Sequence, residues 1–144
     1  MNKVKQIIKV KGHRVWKVQA DVTVFDALKL MADKQISSVI VMDGDQVAGI
    51  FTERDYARKV GLQDVNPSAI KIADIMTRQL ITVTPETSVN ECMVIITDNH
   101  IRHLPVMQDG KLVGIVTIGD VVKDMIDELQ FAVKQLENYI TYFR

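Results

Sequence analysis

The chain of 144 residues contains one sequence pattern twice. A shift of 65 residues aligns residues 17–60 with residues 82–125 without a gap, and ten of the 44 aligned positions are identical. The absence of gaps is stronger evidence of a duplication than the number of identical residues, because chance similarity rarely preserves spacing over such a length. A unit of about 50 residues buries too little surface to be comfortable alone. The sequence therefore predicts two copies that pack together about a pseudo-twofold axis.

Each copy carries the same local signals. Helices are predicted over residues 24–34 and 89–99, after the N-cap residues Thr23 and Ser88. Two short apolar runs separated by Asp-Gly follow each helix, which is typical of a β-hairpin, and a further helix is predicted after each hairpin. The predicted fold class is α/β (α+β), with two β-α-β-β-α repeats and a long C-terminal helix.

Four segments are predicted along the chain. Residues 1–15 form a lead-in helix, residues 16–65 the first repeat, residues 66–127 the second repeat, and residues 128–144 a helical tail. No Gly or Pro follows Gly119, so one helix is expected to run to about residue 142. A helix laid against its own domain is one interpretation of the tail, and self-association is the other. The apolar residues with the alternating four and three spacing of a heptad seam are Val122, Ile126, Leu129, Val133, Leu136, Ile140 and Phe143.

Composition excludes several function classes. The 18 basic and 18 acidic side chains cancel, which argues against electrostatic binding to nucleic acid or to an anionic membrane. No apolar run approaches the roughly 20 residues that span a bilayer. The single cysteine, Cys92, lies on the apolar stripe of its helix and is expected in the core, and it favours a reducing, cytoplasmic compartment. No metal-ligand spacing and no nucleophile motif is present, so we expect neither a metal site nor an enzyme.

One polar pattern occurs in both copies, Gly-Ile-x-Thr-x-x-Asp at residues 49–55 and 114–120. Helix capping alone accounts for it, because Thr at the N-cap and Asp three residues later both stabilise a helix start. A ligand site accounts for it equally well, because a carboxylate beyond a strand end can accept hydrogen bonds from both hydroxyls of a ribose. Both interpretations stay open at this point. The residues concerned are Thr52, Asp55, Thr117 and Asp120.

A nucleotide at such a site would turn its phosphates away from the carboxylate and toward cations. The candidate cations near the two patterns are Arg54, Arg58, Arg102 and Lys123.

The chain resembles a tandem pair of CBS (cystathionine β-synthase) domains, known as a Bateman module. The resemblance rests on the tandem repeat, the doubled polar pattern, the run at residues 102–106 and Ile75-Met76 before the second copy, and it covers residues 8–128. It implies two clefts between the copies that bind adenosine compounds such as AMP, ADP, ATP, S-adenosylmethionine or NAD(H). It also implies dimers.

Carried over by position, the resemblance implies a role for each site residue. Asp55 and Asp120 would hold the ribose, assisted by Thr52 and Thr117. Apolar and backbone positions would contact adenine: Val18, Ile36, Ile50, Val83, Ile101, Ile115 and Gly119. Phosphate contacts are implied for Arg102 and its counterpart Ser37 in the other copy. The two clefts are expected to be unequal, since Arg54 matches Gly119 and Ser37 matches Arg102.

The expected function is that of a free-standing regulatory module that senses an adenine nucleotide, AMP, ADP, ATP or NAD(H), and needs no catalytic cofactor. The flanks are too short for a catalytic domain. A homodimer and an unidentified regulated protein are the expected partners, with no nucleic acid and no membrane insertion. The alternative is a purely structural dimerisation domain with degenerate clefts, since capping explains the polar pattern without a ligand.

Overall fold

The computed structural model describes residues 2–143 and divides into two compact units. The first-repeat unit is Arg14–Ile81. The second-repeat unit joins the residues up to His13 with those from Thr82 onward. The units therefore differ from the predicted segments. The residues before the first repeat belong to the second-repeat unit, and the residues that lead into the second repeat belong to the first-repeat unit.

The first-repeat unit is built on a three-stranded sheet of order β1-β2-β3. β1 (Lys17–Gln19) pairs parallel with β2 (Ser38–Asp43), which pairs antiparallel with β3 (Gln46–Thr52). α2 (Val24–Lys34) connects β1 to β2, and α3 (Glu53–Tyr56) follows β3. This order confirms the predicted strand-helix-strand-strand-helix unit.

The helix predicted after β3 has only four α-helical residues. α3 continues as a π-helical turn, Ala57–Gly61. Two 3-10 turns, Pro67–Ala69 and Ile72–Asp74, complete the unit.

The second-repeat unit contains α1 (Val4–Lys11), α4 (Val89–Asn99), β4 (His103–Gln108), β5 (Lys111–Thr117) and α5 (Ile118–Tyr142). β4 and β5 form an antiparallel hairpin. The opening strand expected for this copy is reduced to a single parallel bridge between residues 83 and 106. The long α5 confirms the predicted C-terminal helix.

The helix ends follow the predicted local chemistry. The Thr23 Oγ1 and Ser88 Oγ atoms each accept a hydrogen bond from a backbone N–H three residues later, at 3.1 and 3.0 Å. α2 and α4 both stop at a left-handed residue, Gln35 with φ 54° and His100 with φ 53°. Matching caps 65 residues apart reflect the duplication, because the same short polar side chains end and begin the same helices.

The lead-in segments complete the two cores. Ile7 and Ile8 of α1 are buried in the core of the second-repeat unit. Ile72, Ile75 and Met76 are buried in the core of the first-repeat unit. The segment at 72–76, expected to open the second repeat, thus packs with the first. Each small sheet leaves an apolar face, and a neighbouring stretch of chain removes that face from water.

Two other sequence predictions are settled by burial. Cys92 is fully buried, which confirms its place in the core. α5 is packed only at its start, where Val121 is fully buried. From Ile126 to Phe143 every residue is exposed, so the tail is not laid against its own domain.

Candidate functional site

The first polar pattern lies where β3 ends and α3 begins. The backbone N–H of Asp55 donates to Thr52 Oγ1 at 3.2 Å, and the backbone N–H of Thr52 donates to Asp55 Oδ2 at 3.0 Å. This reciprocal pair is a capping box, and it satisfies two backbone donors that the helix leaves without a partner. The capping interpretation of this pattern is therefore present in the structure.

The Asp55 carboxylate makes two further contacts through its other oxygen. Oδ1 accepts a hydrogen bond from Thr77 Oγ1 at 2.9 Å and lies 3.1 Å from Lys59 Nζ. Asp55 is only 7% exposed. Both carboxylate oxygens are thus engaged inside the first-repeat unit, and a ribose would have to replace a hydroxyl and an ammonium to reach them.

The second polar pattern, between β5 and α5, repeats the capping box. The backbone N–H of Thr117 donates to Asp120 Oδ2 at 2.9 Å, and the backbone N–H of Asp120 donates to Thr117 Oγ1 at 3.2 Å. The Lys11 ammonium lies 2.7 Å from the same Oδ2 and also donates to the Ile115 carbonyl at 2.9 Å. The Asp120 side chain is 24% exposed, so this acid is more accessible than Asp55.

The residues expected at the phosphates fall into two groups. Arg102 lies beside the second capping box, because its carbonyl accepts the backbone N–H of Ile118 at 2.9 Å. Ser37 lies beside the first capping box in the same way, since its carbonyl accepts the backbone N–H of Glu53 at 3.1 Å. The remaining candidates are exposed side chains on the helices and turns that follow the strands: Arg54, Arg58 and Lys123.

The residues expected at adenine differ in burial. Ile50 is 8% exposed and Val83 is 4% exposed, and Val83 belongs to the core of its unit. Gly119 is exposed and a methyl group there would meet only Thr117 Oγ1, at 3.6 Å. The others are half-buried and keep part of their surface toward solvent: Val18, Ile36, Ile101 and Ile115.

A surface groove of about 440 Å³ runs along the first-repeat unit between α2 and the start of α3. Ile36 and Ser37 line it together with Met31 and Glu53. The Asp55 carboxylate is not among its lining residues, so this groove and the first acid are separate features.

His103 adds a titratable group to the second pattern. It pairs with Thr117 across the β4–β5 hairpin. The pKa of His103 is lowered to about 4, chiefly by burial and also by the nearby Lys11 and Arg102 cations, while Asp120 acts in the opposite direction. The imidazole is therefore neutral at pH 7, and the cation in contact with Asp120 is Lys11, at 2.7 Å.

Comparison with known proteins identifies the repeats. A family model of the CBS domain matches residues 4–61 and 72–127. The chain belongs to the CBS-domain family. It therefore contains two tandem CBS repeats of the kind found in regulatory proteins, as the resemblance implied.

Several CBS-domain proteins are similar along most of the chain. The mitochondrial CBS domain-containing protein CBSX3 of Arabidopsis thaliana is 44% identical over 134 residues, which is 90% of this chain and 65% of that protein. A solved CBS-domain protein of Burkholderia ambifaria is 46% identical with a TM-score of 0.85, covering 88% of this chain and 95% of the other. The hexameric CBS-CP12 protein of bloom-forming cyanobacteria is 29% identical with a TM-score of 0.74, covering 85% of this chain and 70% of the other.

Three residues of the CBS repeats were missed by sequence reasoning: Lys11, Lys59 and Thr77. Lys59 lies four residues after Asp55, and this helical spacing could have revealed it. Lys11 and Thr77 lie in the lead-in segments, and nothing in the sequence states which repeat a lead-in covers. Lys11 contacts Asp120, and Thr77 contacts Asp55, because the segment before each repeat packs with the other repeat.

The described chain carries no sign of two other site types. Within residues 2–143, no group of three His, Cys, Asp or Glu side chains is arranged to hold a metal ion. Among the helices of the same residues, none is long and apolar enough to cross a bilayer.

Proposed function

We propose that this CBS-domain protein is a regulatory sensor that binds an adenine nucleotide, AMP, ADP, ATP or NAD(H), with Asp120 as the acid that holds the ribose. The carrying observation is the difference between the two acids. Asp120 is partly exposed and its carboxylate contacts Lys11, whereas Asp55 is buried and its carboxylate contacts both Thr77 and Lys59. The second-repeat unit supplies the ligand site under this proposal, and Asp55 serves the structure of its own unit.

Lys11 gives the proposed site its preference for phosphates. When two ribose hydroxyls donate to the Asp120 carboxylate, they compete with the Lys11 ammonium for it. The ammonium is then available to a phosphate. Arg102, directly before β4, is proposed as a second cation, because its carbonyl accepts the backbone N–H of Ile118 beside the second capping box. Two cations beside the acid favour a phosphate-bearing nucleotide over the cationic S-adenosylmethionine, since like charges repel.

Gly119 supports close approach of the ligand to this junction. It lies directly before Asp120 and is exposed. Its missing side chain leaves the first turn of α5 open, so a sugar can come close to the backbone N–H groups there. The matching residue in the other repeat is Arg54, so a long side chain replaces the hydrogen atom of glycine at that position.

Binding, not catalysis, is the proposed activity, and its output is a change in a partner or in self-association. A ligand shifts such an equilibrium only by its difference in affinity for the two states. We propose a homodimer as one receiver of the signal, and the hexameric cyanobacterial relative supports self-assembly of this fold. The cytoplasmic location inferred from the single cysteine stays a prediction, and the Arabidopsis relative is named as mitochondrial.

Paired variants test the ligand site. Isothermal titration of the parent chain with AMP, ADP, ATP, NAD, NADH and S-adenosylmethionine identifies the ligand and its stoichiometry. Asp120→Asn is expected to lower the affinity by more than about tenfold, because a hydrogen bond to a charged group contributes about 1.5–3 kcal/mol. Its stability should fall by less than about 1 kcal/mol, since an asparagine oxygen still accepts the capping bond of Thr117 and only the partly exposed contact with Lys11 weakens.

Asp55→Asn is the matched control. It should leave the affinity unchanged and lower the stability by about 1–2 kcal/mol, because the contacts with Lys59 and Thr77 weaken. Equal loss of affinity in both variants would contradict the assignment of the site to Asp120. An unchanged affinity in Asp120→Asn would contradict the ribose contact itself.

A structural dimerisation domain is the second candidate function. The complete capping boxes at both polar patterns favour it, because they account for Thr52, Asp55, Thr117 and Asp120 without any ligand. This candidate predicts no binding heat with any of the six compounds at millimolar concentration.

A further inference from the structure

We infer that the exposed part of α5 pairs antiparallel with the same helix of a second copy of this chain. The inference deepens the homodimer part of the proposed function and rests on it, but it does not depend on nucleotide binding. Its basis is the tail helix, defined as Ile126–Phe143, in which every residue is exposed. In proteins, most of the stability of a helix comes from the packing of an amphipathic face, and the tail helix has no such packing within its own chain.

One face of the tail helix is apolar along its whole length. Ile126, Val133 and Ile140 alternate with Leu129 and Leu136 at steps of three and four residues, and all five are 48–65% exposed. β-branched residues at one core position of a heptad and leucine at the other favour two-stranded assembly in coiled coils. An apolar stripe of this regularity therefore fits a second copy of itself.

The distribution of charge along α5 decides the orientation of the two helices. Residues 118–130 contain four acidic side chains and one basic side chain, whereas residues 131–143 contain one of each. A parallel pair would place two acidic halves side by side, which is unfavourable. An antiparallel pair places each acidic half beside the nearly neutral half of its partner.

Register follows from the stripe. An antiparallel pair keeps every stripe residue in the seam when Ile126 faces the partner's Leu136, and Leu129 faces the partner's Val133. In this register Lys123 and the partner's Glu137 lie on the same flank, offset by about 3 Å along the axis at 1.5 Å per residue. Two Lys–Glu pairs per dimer then add to the apolar seam.

Self-association is tested by sedimentation of the full chain. Leu129→Asp and Val133→Asp introduce charge into the seam and are expected to convert a dimer to a monomer. Phe131→Asp is the matched control, because Phe131 is 67% exposed and Leu129 is 65% exposed, but Phe131 lies off the stripe. A monomeric parent chain, or equal effects of the stripe and control variants, would overturn the inference.

Orientation is tested by disulfide trapping with two single-cysteine additions. Ile126→Cys and Leu136→Cys should each stay uncrosslinked alone, because in an antiparallel pair the two copies of either position are about ten residues apart along the axis. A mixture of the two variants, one carrying a mass tag, should form a crosslinked heterodimer. Crosslinking of either variant alone would indicate a parallel pair, and no crosslink in the mixture would also overturn the inference. The natural cysteine, Cys92, is fully buried, and the parent chain treated in the same way measures any crosslinking through it.

These outcomes are separate from ligand binding. Titration of the Leu129→Asp variant with the nucleotide found for the parent chain distinguishes the two proposals. A Leu129→Asp monomer that still binds the nucleotide supports the pairing of the tails, and a variant that stays dimeric contradicts this pairing whether or not it binds the nucleotide.

Discussion

Two glycines at matching positions of the duplicated strands should respond differently to the same substitution. A Cβ added at Gly49 would lie 2.6 Å from the Thr77 carbonyl oxygen and 2.9 Å from Met76 Sδ. A Cβ added at Gly114 would lie 2.5 Å from Ile8 Cδ1, the flexible end of a side chain. We therefore expect Gly49→Ala to be much the more destabilising variant, since backbone cannot move aside as a side chain can.

The magnitude at Gly49 follows from what the methyl group displaces. Residues 50 and 77 are joined by two backbone hydrogen bonds of 2.8 and 2.9 Å, and the methyl would push this bridge apart. Overpacking costs about 1–3 kcal/mol, and each weakened bond adds up to about 1 kcal/mol. Replacing glycine with alanine also restricts the unfolded chain, and this lower entropy stabilises the folded state by about 0.5 kcal/mol. The net loss of unfolding free energy at Gly49 lies between about 0.5 and 4.5 kcal/mol, with a midpoint of about 2.5 kcal/mol.

The magnitude at Gly114 is much smaller. Ile8 can leave its rotamer at a cost of about 1 kcal/mol, and the unfolded-chain gain offsets about half of it. The expected change in stability of Gly114→Ala is therefore within about 1 kcal/mol.

Urea unfolding provides the assay. Trp16 is the single tryptophan and packs against the core of the first-repeat unit, so its fluorescence reports the unit that contains Gly49. With a slope of about 1–3 kcal/mol per molar urea, Gly49→Ala should lower the midpoint by about 1 M or more. Circular dichroism follows Gly114→Ala in the other unit. An unchanged midpoint for Gly49→Ala, or a larger shift for Gly114→Ala, would refute the reasoning.

Two further predictions concern titratable groups in the second-repeat unit. The pKa of His103 is about 4 in the folded protein and near 6.5 in the unfolded chain. The folded state therefore loses stability as the pH falls from 6.5 toward 4, because the unfolded chain binds the proton first, and no stability is lost through this group above pH 6.5. The loss is at most about 3 kcal/mol, and His103→Gln should flatten that part of the stability–pH curve; identical curves would contradict the burial of a neutral imidazole. The pKa of Cys92 is raised to about 11, chiefly by burial and also by the neighbouring Glu91 carboxylate. A maleimide at pH 7.5 should therefore label Cys92 only after denaturation, and labelling of the native protein at the rate of a free thiol would contradict its place in the core.

Local patterns in the sequence were sufficient for most elements of the fold, but not for the opening strand of the second copy, which is a single bridge. The helices over 24–34 and 89–99 and the hairpins after them were predicted with the bounds that the structure shows or close to them. This works because caps and apolar periodicity act over a few residues. The polar pattern was also recognised, and its two interpretations came from the same local geometry.

The sequence by itself determined the duplication, the CBS repeats and the positions of Asp55 and Asp120, since these depend on residue order and short-range chemistry. Only the tertiary structure decided that each lead-in packs with the other repeat, and with it which side chain meets each acid. Lys11 reaches Asp120 from a residue 109 positions away, and Thr77 reaches Asp55 from 22 positions away. Such contacts depend on which apolar face a segment covers, a choice made by packing free energy that residue spacing does not encode.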